Sequence, residues 1–203
     1  VRGLRAADLP PLLVCLRCIR VPADFLTLVH IIMKAPNLSH GCKYDAVEFF
    51  AGNMAFTRSH QKRGRLAVPF EIKLAGKLMD INSSHGFAHA VHLMCCVKPG
   101  GSCLLAPVCS SWVFMNRGSS GRTFAQPLGN ESSELVCAAN KMISRVVLIL
   151  AIGWVLGLLL IWEQPKGSLM QEHPRLQDPG RINLLGFLLF DSRLNFHNHE
   201  RAF

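Results

Sequence analysis

Small and acidic residues follow three successive apolar runs in this sequence. After the first run comes Phe50-Ala51-Gly52-Asn53, where a small residue and a glycine let the backbone approach a ligand closely. Glu71 lies nineteen residues after Gly52, and an acidic residue about 20 residues beyond such a turn suits ribose hydroxyls. The carboxylate of Asp80, after the third run, could accept a hydrogen bond from an adenine amino group. The pattern predicts contacts to a nucleotide-like cofactor from Phe50, Ala51, Gly52, Asn53, Glu71 and Asp80.

Two further motifs contribute a thiol and a carboxylate after the next apolar runs. Pro-Val-Cys-Ser-Ser-Trp (107–112) contains Cys109, and Glu-Gln-Pro (163–165) begins with Glu163. If all five runs are parallel strands, these groups emerge at the carboxyl edge of one sheet, where such sheets bind ligands.

The elements that must position these residues alternate between strands and helices. Helical spacing or capping residues predict helices over 54–62, 84–97 and 132–152, and apolar runs predict strands at 46–50, 66–72, 79–81, 102–106 and 158–162. This alternation is typical of a parallel, doubly wound sheet. We therefore predict an α/β, Rossmann-like domain with a mostly parallel sheet over residues 44–175.

The chain on either side of this domain has a different character. Four prolines break residues 1–43 into short pieces, which indicates an N-terminal extension that packs on the domain or stays loose. A helix is predicted within it at 25–34. Residues 176–203 contain a last strand candidate at 182–190 and a polar, histidine-bearing tail.

Composition limits the class of protein. Half of the residues are hydrophobic and 17% are charged, which excludes a wholly disordered chain. The net charge of +9 suits a polyanionic partner such as nucleic acid, an acidic membrane surface, or simply a solvated basic surface. The eight cysteines lie in a chain too long and too apolar to need disulfides. A reducing intracellular location, nuclear or cytoplasmic, is favoured.

The uncharged segment 146–162 keeps a membrane location open. Its seventeen residues are the lower limit for a transmembrane helix. They also suit the end of a buried helix, a turn at Gly153 and a buried parallel strand, which reads as a continuous apolar run. Because the segment runs directly into Glu163, as a strand runs into a loop, we predict the second arrangement within a water-soluble fold.

Three histidines at helical spacing raise the question of a metal site. His85, His89 and His92 lie at i, i+4 and i+7 of one predicted helix. No carboxylate or thiol is evidently placed to complete a ligand set, so we expect no metal.

The order of these motifs resembles the cytosine-5 DNA methyltransferase family. Phe50-Ala51-Gly52 matches the family's Phe-Ala-Gly turn, and Glu71 and Asp80 match its acidic residues after strands two and three. Pro107-Val108-Cys109 compares with its Pro-Cys motif, and Glu163-Gln164-Pro165 compares with its Glu-Asn-Val motif. The turn at 97–101 is common in wider S-adenosylmethionine-dependent methyltransferases. The resemblance covers roughly residues 44–175 and implies a class I methyltransferase-like fold that binds S-adenosylmethionine.

The resemblance also implies roles for individual residues. Cys109 would attack carbon 6 of a flipped cytosine, and Glu163 would hold a proton on ring nitrogen 3. Arg117 and Arg122, in the loop after Cys109, would contact phosphates of nucleic acid.

The sequence departs from the family at three points. Asn53-Met54-Ala55 replaces further glycines, Val108 interrupts the Pro-Cys pair, and no target-recognition domain or Gln-x-Arg-x-Arg motif is found. Three hypotheses therefore stay open. The chain is a methyltransferase-like domain acting on cytosine in DNA, a catalytically degenerate domain that binds a nucleotide or nucleic acid, or a single-pass membrane protein.

Overall fold

Parallel pairing joins the apolar runs into one sheet. The computed structural model describes residues 9–18, 21–34, 43–177 and 188–191. Within them a five-stranded parallel sheet has the order β2-β1-β3-β4-β5. Its strands are β1 (Tyr44–Phe49), β2 (Ala67–Phe70), β3 (Val97–Leu105), β4 (Leu159–Gln164) and β5 (Leu188–Asp191). The predicted α/β fold with a parallel sheet is confirmed, and this strand order is a common doubly wound one.

Helices connect the strands and cover the sheet. They are α1 (Leu9–Cys18), α2 (Ala23–Lys34), α3 (Ala55–Lys62), α4 (Ile72–Ala75), α5 (Ser84–Cys95), α6 (Arg117–Ser120), α7 (Glu134–Val155) and α8 (Pro174–Gln177). Short 3-10 turns occupy Gly76–Met79, Phe114–Asn116 and Leu169–Glu172. On one face of the sheet the ring of Phe70 lies tilted against that of Phe49, with 5.3 Å between the ring centres, and meets the ring of His89 of α5 edge-on at 5.8 Å. The main core therefore lies between the sheet and the α5–α7 layer.

The strand register aligns the ends of four strands. Phe49 of β1 pairs with Phe70 of β2 and with Leu105 of β3, and Leu105 pairs with Trp162 of β4. The next residue of each strand therefore lies in one row across the carboxyl edge, and these residues are Glu71, Phe50, Ala106 and Glu163. Three of the four are predicted site residues.

The N-terminal extension packs on the domain over its described part. Leu16 of α1 and Val29 of α2 are fully buried, and the ring of Phe25 stacks on Phe87 of α5 at 5.8 Å. The two helices form a further apolar layer over α5 and α7.

The predicted third strand at 79–81 is wrong. Gly76–Met79 is a 3-10 turn, and Asp80 begins a tight turn in which its side chain accepts a hydrogen bond from the Asn82 N–H at 2.8 Å. The carbonyl of Ile81 accepts a hydrogen bond from the guanidinium of Arg145 on α7, 2.7 Å away. This carbonyl is thus bonded to a helix side chain and not to a neighbouring strand. The Ser83 side chain then caps α5 by accepting a hydrogen bond from the Gly86 N–H.

The segment 97–101, where we expected a turn, forms a bulge inside β3. Tyr44 pairs with Val97, but Ala46 pairs with Ser102, so the chain bulges between them. Gly100 has a φ of 72°, which glycine adopts without a steric cost.

The apolar segment 146–162 is not one unbroken helix. It contains the end of α7, a turn at Gly157 with a φ of 68°, and the start of β4. A helix, a turn and a strand are confirmed, but the predicted position of the turn at Gly153 is wrong. Gly153 lies within α7, where a side chain would overlap Met94 and Leu160.

Among the described residues, α7 is the one helix long and apolar enough to cross a membrane, by length and composition alone. In the most apolar 18-residue stretch of α7, 56% is buried within the fold. The last predicted strand, 182–190, is observed as β5 from Leu188, and its earlier residues lie outside the described ones, as does the tail from 192 onward.

Candidate functional site

The loop after β1 has an unusual backbone. Phe50, Gly52 and Met54 have φ angles of 60°, 48° and 57°, in the left-handed region that favours glycine. Two of the three carry side chains, so the conformation costs free energy that the surrounding structure must offset. Met54 thus adopts a backbone conformation that glycine would adopt without this cost. Such strain concentrates where a backbone must approach a ligand.

Glu71 lies directly against this loop. Its carboxylate accepts a hydrogen bond from the Gly52 N–H at 2.9 Å and another from the Lys73 N–H at 3.2 Å. The second bond caps α4. The structure therefore brings together two predicted cofactor residues, Gly52 and Glu71. Because a carboxylate has about four acceptor positions, Glu71 retains capacity for further donors.

Asp80 lies near the guanidinium of Arg145, a residue of α7. Burial lowers the pKa of Arg145, and the charge of Asp80 raises it. Arg145 donates to the carbonyls of Ile81 and Ser83 at 2.7 and 2.8 Å. Asp80 is thus positioned by α7 and not by the end of a strand.

Glu48 is a buried acid that the sequence argument missed. Its side chain, only 5% exposed, accepts hydrogen bonds from the Thr57 N–H at 2.7 Å and the Phe56 N–H at 3.4 Å. These are N–H groups that the first turn of α3 leaves without a helical partner. An acid inside an otherwise apolar strand was the available signal.

Cys109 and Glu163 belong to motifs that are joined directly. The side-chain amide of Gln164 donates to the carbonyl of Pro107 at 3.2 Å, which ties the end of β4 to the loop that carries Cys109. Cys109 is half-buried. The structure therefore brings the predicted thiol and carboxylate into one neighbourhood, where their charges interact.

Burial shifts the pKa of Cys109 and of Glu163. It raises the pKa of the Cys109 thiol, as does the charge of Glu163, whereas a hydrogen bond from the backbone of Cys109 lowers it. Burial also raises the pKa of Glu163, and Glu48 adds to the effect. Glu48 and Glu163 share a face of the sheet, since Glu48 is aligned through Leu104 with Ile161, two residues before Glu163. Both shifts run toward the uncharged form of each group.

This coupling predicts the reactivity of the thiol. Changing Glu163 to Gln removes the negative charge that raises the pKa of Cys109, so more thiolate forms at a given pH above neutrality. We expect alkylation of Cys109 by iodoacetamide at pH 8 to become faster, because the thiolate is the reactive form. Site-resolved mass spectrometry measures the rate, with the exposed Cys137 as internal control. An equal rate in the variant and the unaltered protein would contradict the coupling.

Arg122, which was expected to contact phosphates, is buried in the structure. Its side chain is 0% exposed, and its guanidinium stacks over the ring of Trp112 at 3.4 Å. It donates to the carbonyl of Pro127 at 2.6 Å and to the side chain of Asn140 at 2.8 Å, with longer bonds to Ser111 and Val136. Burial lowers its pKa to about 10. Because its donors are directed inward, Arg122 does not present a phosphate contact in this conformation.

Arg117 is partly exposed. Its guanidinium lies 5.1 Å from the ring centre of Phe114 and 5.3 Å from that of Phe124, and it donates to the carbonyl of Gly167 at 3.3 Å. The last bond connects the loop after β3 to the loop after β4.

No metal cluster accompanies these groups in the described part of the chain. No group of three His, Cys, Asp or Glu side chains there is placed to hold a metal ion. His89 instead lies 3.1 Å from the carbonyl of Leu78.

Comparison with protein-family models, with curated proteins and with solved structures gives no match to this chain.

Proposed function

We propose that this chain is an S-adenosylmethionine-binding, methyltransferase-like domain whose methyl acceptor is a cytosine in DNA. One observation carries the proposal. The register of the parallel sheet sets Glu71, Phe50 and Glu163 in one row at the carboxyl edge, with the Cys109 loop attached to the same edge. Ligand sites of doubly wound sheets lie at this edge.

The residues of the first two strand ends fit the cofactor. The left-handed loop at Phe50–Met54 gives a backbone that could approach a ligand, and the buried Glu71 beside it has acceptor capacity for ribose hydroxyls. Asp80 offers a further carboxylate for an adenine amino group, from a turn and not from a strand end. When bound, the cofactor would supply the methyl group.

The chain's own side chains would prepare the ring. The Cys109 thiolate forms a bond to carbon 6, and the electron pair of the ring double bond moves toward carbon 5, which becomes the acceptor of the methyl group. Glu163, whose pKa is raised by burial, would hold the proton at nitrogen 3 and so make carbon 6 electrophilic. Loss of the proton on carbon 5 then restores the double bond and releases the thiolate.

The raised pKa of Cys109 favours a second candidate function. A thiol that stays neutral is a poor nucleophile, which suits a degenerate domain that binds a nucleotide or nucleic acid without catalysis. Cofactor titration followed by an activity assay separates the two candidates, since the degenerate domain transfers no methyl group.

Calorimetric titration with S-adenosylmethionine and S-adenosylhomocysteine tests the proposal. Changing Glu71 to Ala should weaken binding by roughly 1.5–3 kcal/mol, the usual worth of a hydrogen bond to a charged group. Glu134, exposed at the start of α7, provides the matched control, and its change to Ala should leave the affinity unaltered. An unchanged affinity in the Glu71 variant removes that residue from the site, and the absence of binding in the unaltered protein contradicts the proposal.

A further inference from the structure

The loop between β3 and α7 presents aromatic rings to solvent. Phe114 is 75% exposed and Phe124 is 69% exposed, although rings of this size are usually buried. The guanidinium of Arg117 lies close to both rings. We name this set of three residues the aromatic surface.

The aromatic surface is fixed beside the candidate site. Arg117 donates to the carbonyl of Gly167 after β4, and Asn116 donates from its side chain to the carbonyl of Ser110, 2.6 Å away and next to Cys109. The rings are therefore held close to the loop that carries the thiol.

The loop that carries the two rings contains only positive charge. Between residues 106 and 130 the charged side chains are Arg117 and Arg122, and Glu131 directly follows this stretch. Arg122 is buried, so the partly exposed Arg117 provides the positive charge of the loop, and Lys166 lies exposed next to Gly167. An apolar peptide would use the rings but would not need the cations.

We propose that the aromatic surface binds a single-stranded segment of nucleic acid, with bases stacked on Phe114 and Phe124 and a phosphate near Arg117. Stacking on exposed rings needs unpaired bases, because in a duplex the faces of the bases are covered by their neighbours. Arginine contributes both charge and a planar face for stacking. This inference names the form of nucleic acid that the candidate site would receive. Its connection to methyl transfer rests on the proposed function.

Binding of fluorescently labelled oligothymidylate, followed by anisotropy, tests the surface directly. Changing Phe114 or Phe124 to Ala should raise the Kd by roughly 5- to 150-fold, the effect of losing one base–aromatic stack. Met115, 91% exposed between them in sequence, is the matched control, and its change to Ala should leave the Kd unaltered. All three positions are at the surface, so the variants should keep the fold.

Salt separates the contribution of charge from that of the rings. Changing Arg117 to Gln should reduce the slope of log Kd against log salt by about 0.7, the value for one phosphate contact on a single strand. A duplex of the same length should bind more weakly and without dependence on the two phenylalanines.

Several outcomes would overturn the inference. They are an unchanged Kd in both phenylalanine variants, a duplex that binds as tightly as the single strand, and binding to phosphatidylserine vesicles that depends on the rings while oligonucleotide binding does not. Titration with S-adenosylmethionine in the same preparation keeps the two proposals apart. Cofactor binding without oligonucleotide binding contradicts only the aromatic surface, and the reverse contradicts only the proposed function.

Discussion

Under the proposed methyltransferase function, replacing Cys109 by Ser is expected to abolish methyl transfer to cytosine while leaving the affinity for S-adenosylmethionine unchanged. A serine hydroxyl is far less ionised and less nucleophilic than a thiol, so the covalent step should fail. Cofactor binding should persist, because the residues proposed to hold the cofactor follow β1 and β2, whereas Cys109 lies in the loop after β3. We expect a loss of at least about a hundredfold in rate, the lower range for removing one group that acts directly in the reaction.

The assay is transfer of a radioactive methyl group to an oligonucleotide containing cytosine, paired with calorimetric titration of the same preparation. Cys137 is exposed on α7, and its change to Ser is the matched control, with full transfer expected. Retained transfer in the Cys109 variant would identify a methyltransferase that works without a covalent adduct. Loss of both transfer and cofactor binding would point to a misfolded variant, which circular dichroism would detect.

Replacing Arg122 by Met is expected to lower the free energy of unfolding by about 3 to 5 kcal/mol, because several buried acceptors lose their donor together. The guanidinium donates to Pro127, Asn140, Ser111 and Val136 and stacks on Trp112. Methionine fills part of the volume but donates no hydrogen bond. The carbonyls and the amide oxygen would then be buried without a donor.

Urea unfolding followed by tryptophan fluorescence measures this effect. Changing the partly exposed Arg117 to Met is the control, and its cost should be less than about 1 kcal/mol, as for most surface positions. A stability loss that is equal in the two variants would contradict a structural role specific to Arg122.

The carboxyl edge of the sheet could be predicted because its signals are local. Glu71 and Glu163 each end an apolar run, and the parallel register then sets them in one row. Nothing in the sequence near 79–81 shows that this segment is not a strand. In the structure the carbonyl of Ile81 accepts a hydrogen bond from Arg145, and these two residues are sixty-four positions apart.

Charge and burial were the harder properties to predict. An arginine in a polar loop reads as a surface residue, yet Arg122 is enclosed by acceptors from the loop that follows it and from α7. Glu48 stands in an apolar strand, and its partners are backbone N–H groups of α3, which carry no signature in the sequence. The class of methyl acceptor and the methyltransferase assignment stay predictions.

The layer formed by α1 and α2 limits where this chain can be cut. A protein beginning at residue 44, the predicted domain boundary, would lose Leu16, Phe25 and Val29 and remove the ring that stacks on Phe87 of α5. Removing such buried side chains costs on the order of 1.5–3 kcal/mol each, comparable in sum to the stability of a whole domain. The described helices of the extension therefore share a core with the sheet domain, and we expect a protein that begins at residue 44 to be less stable than the full chain.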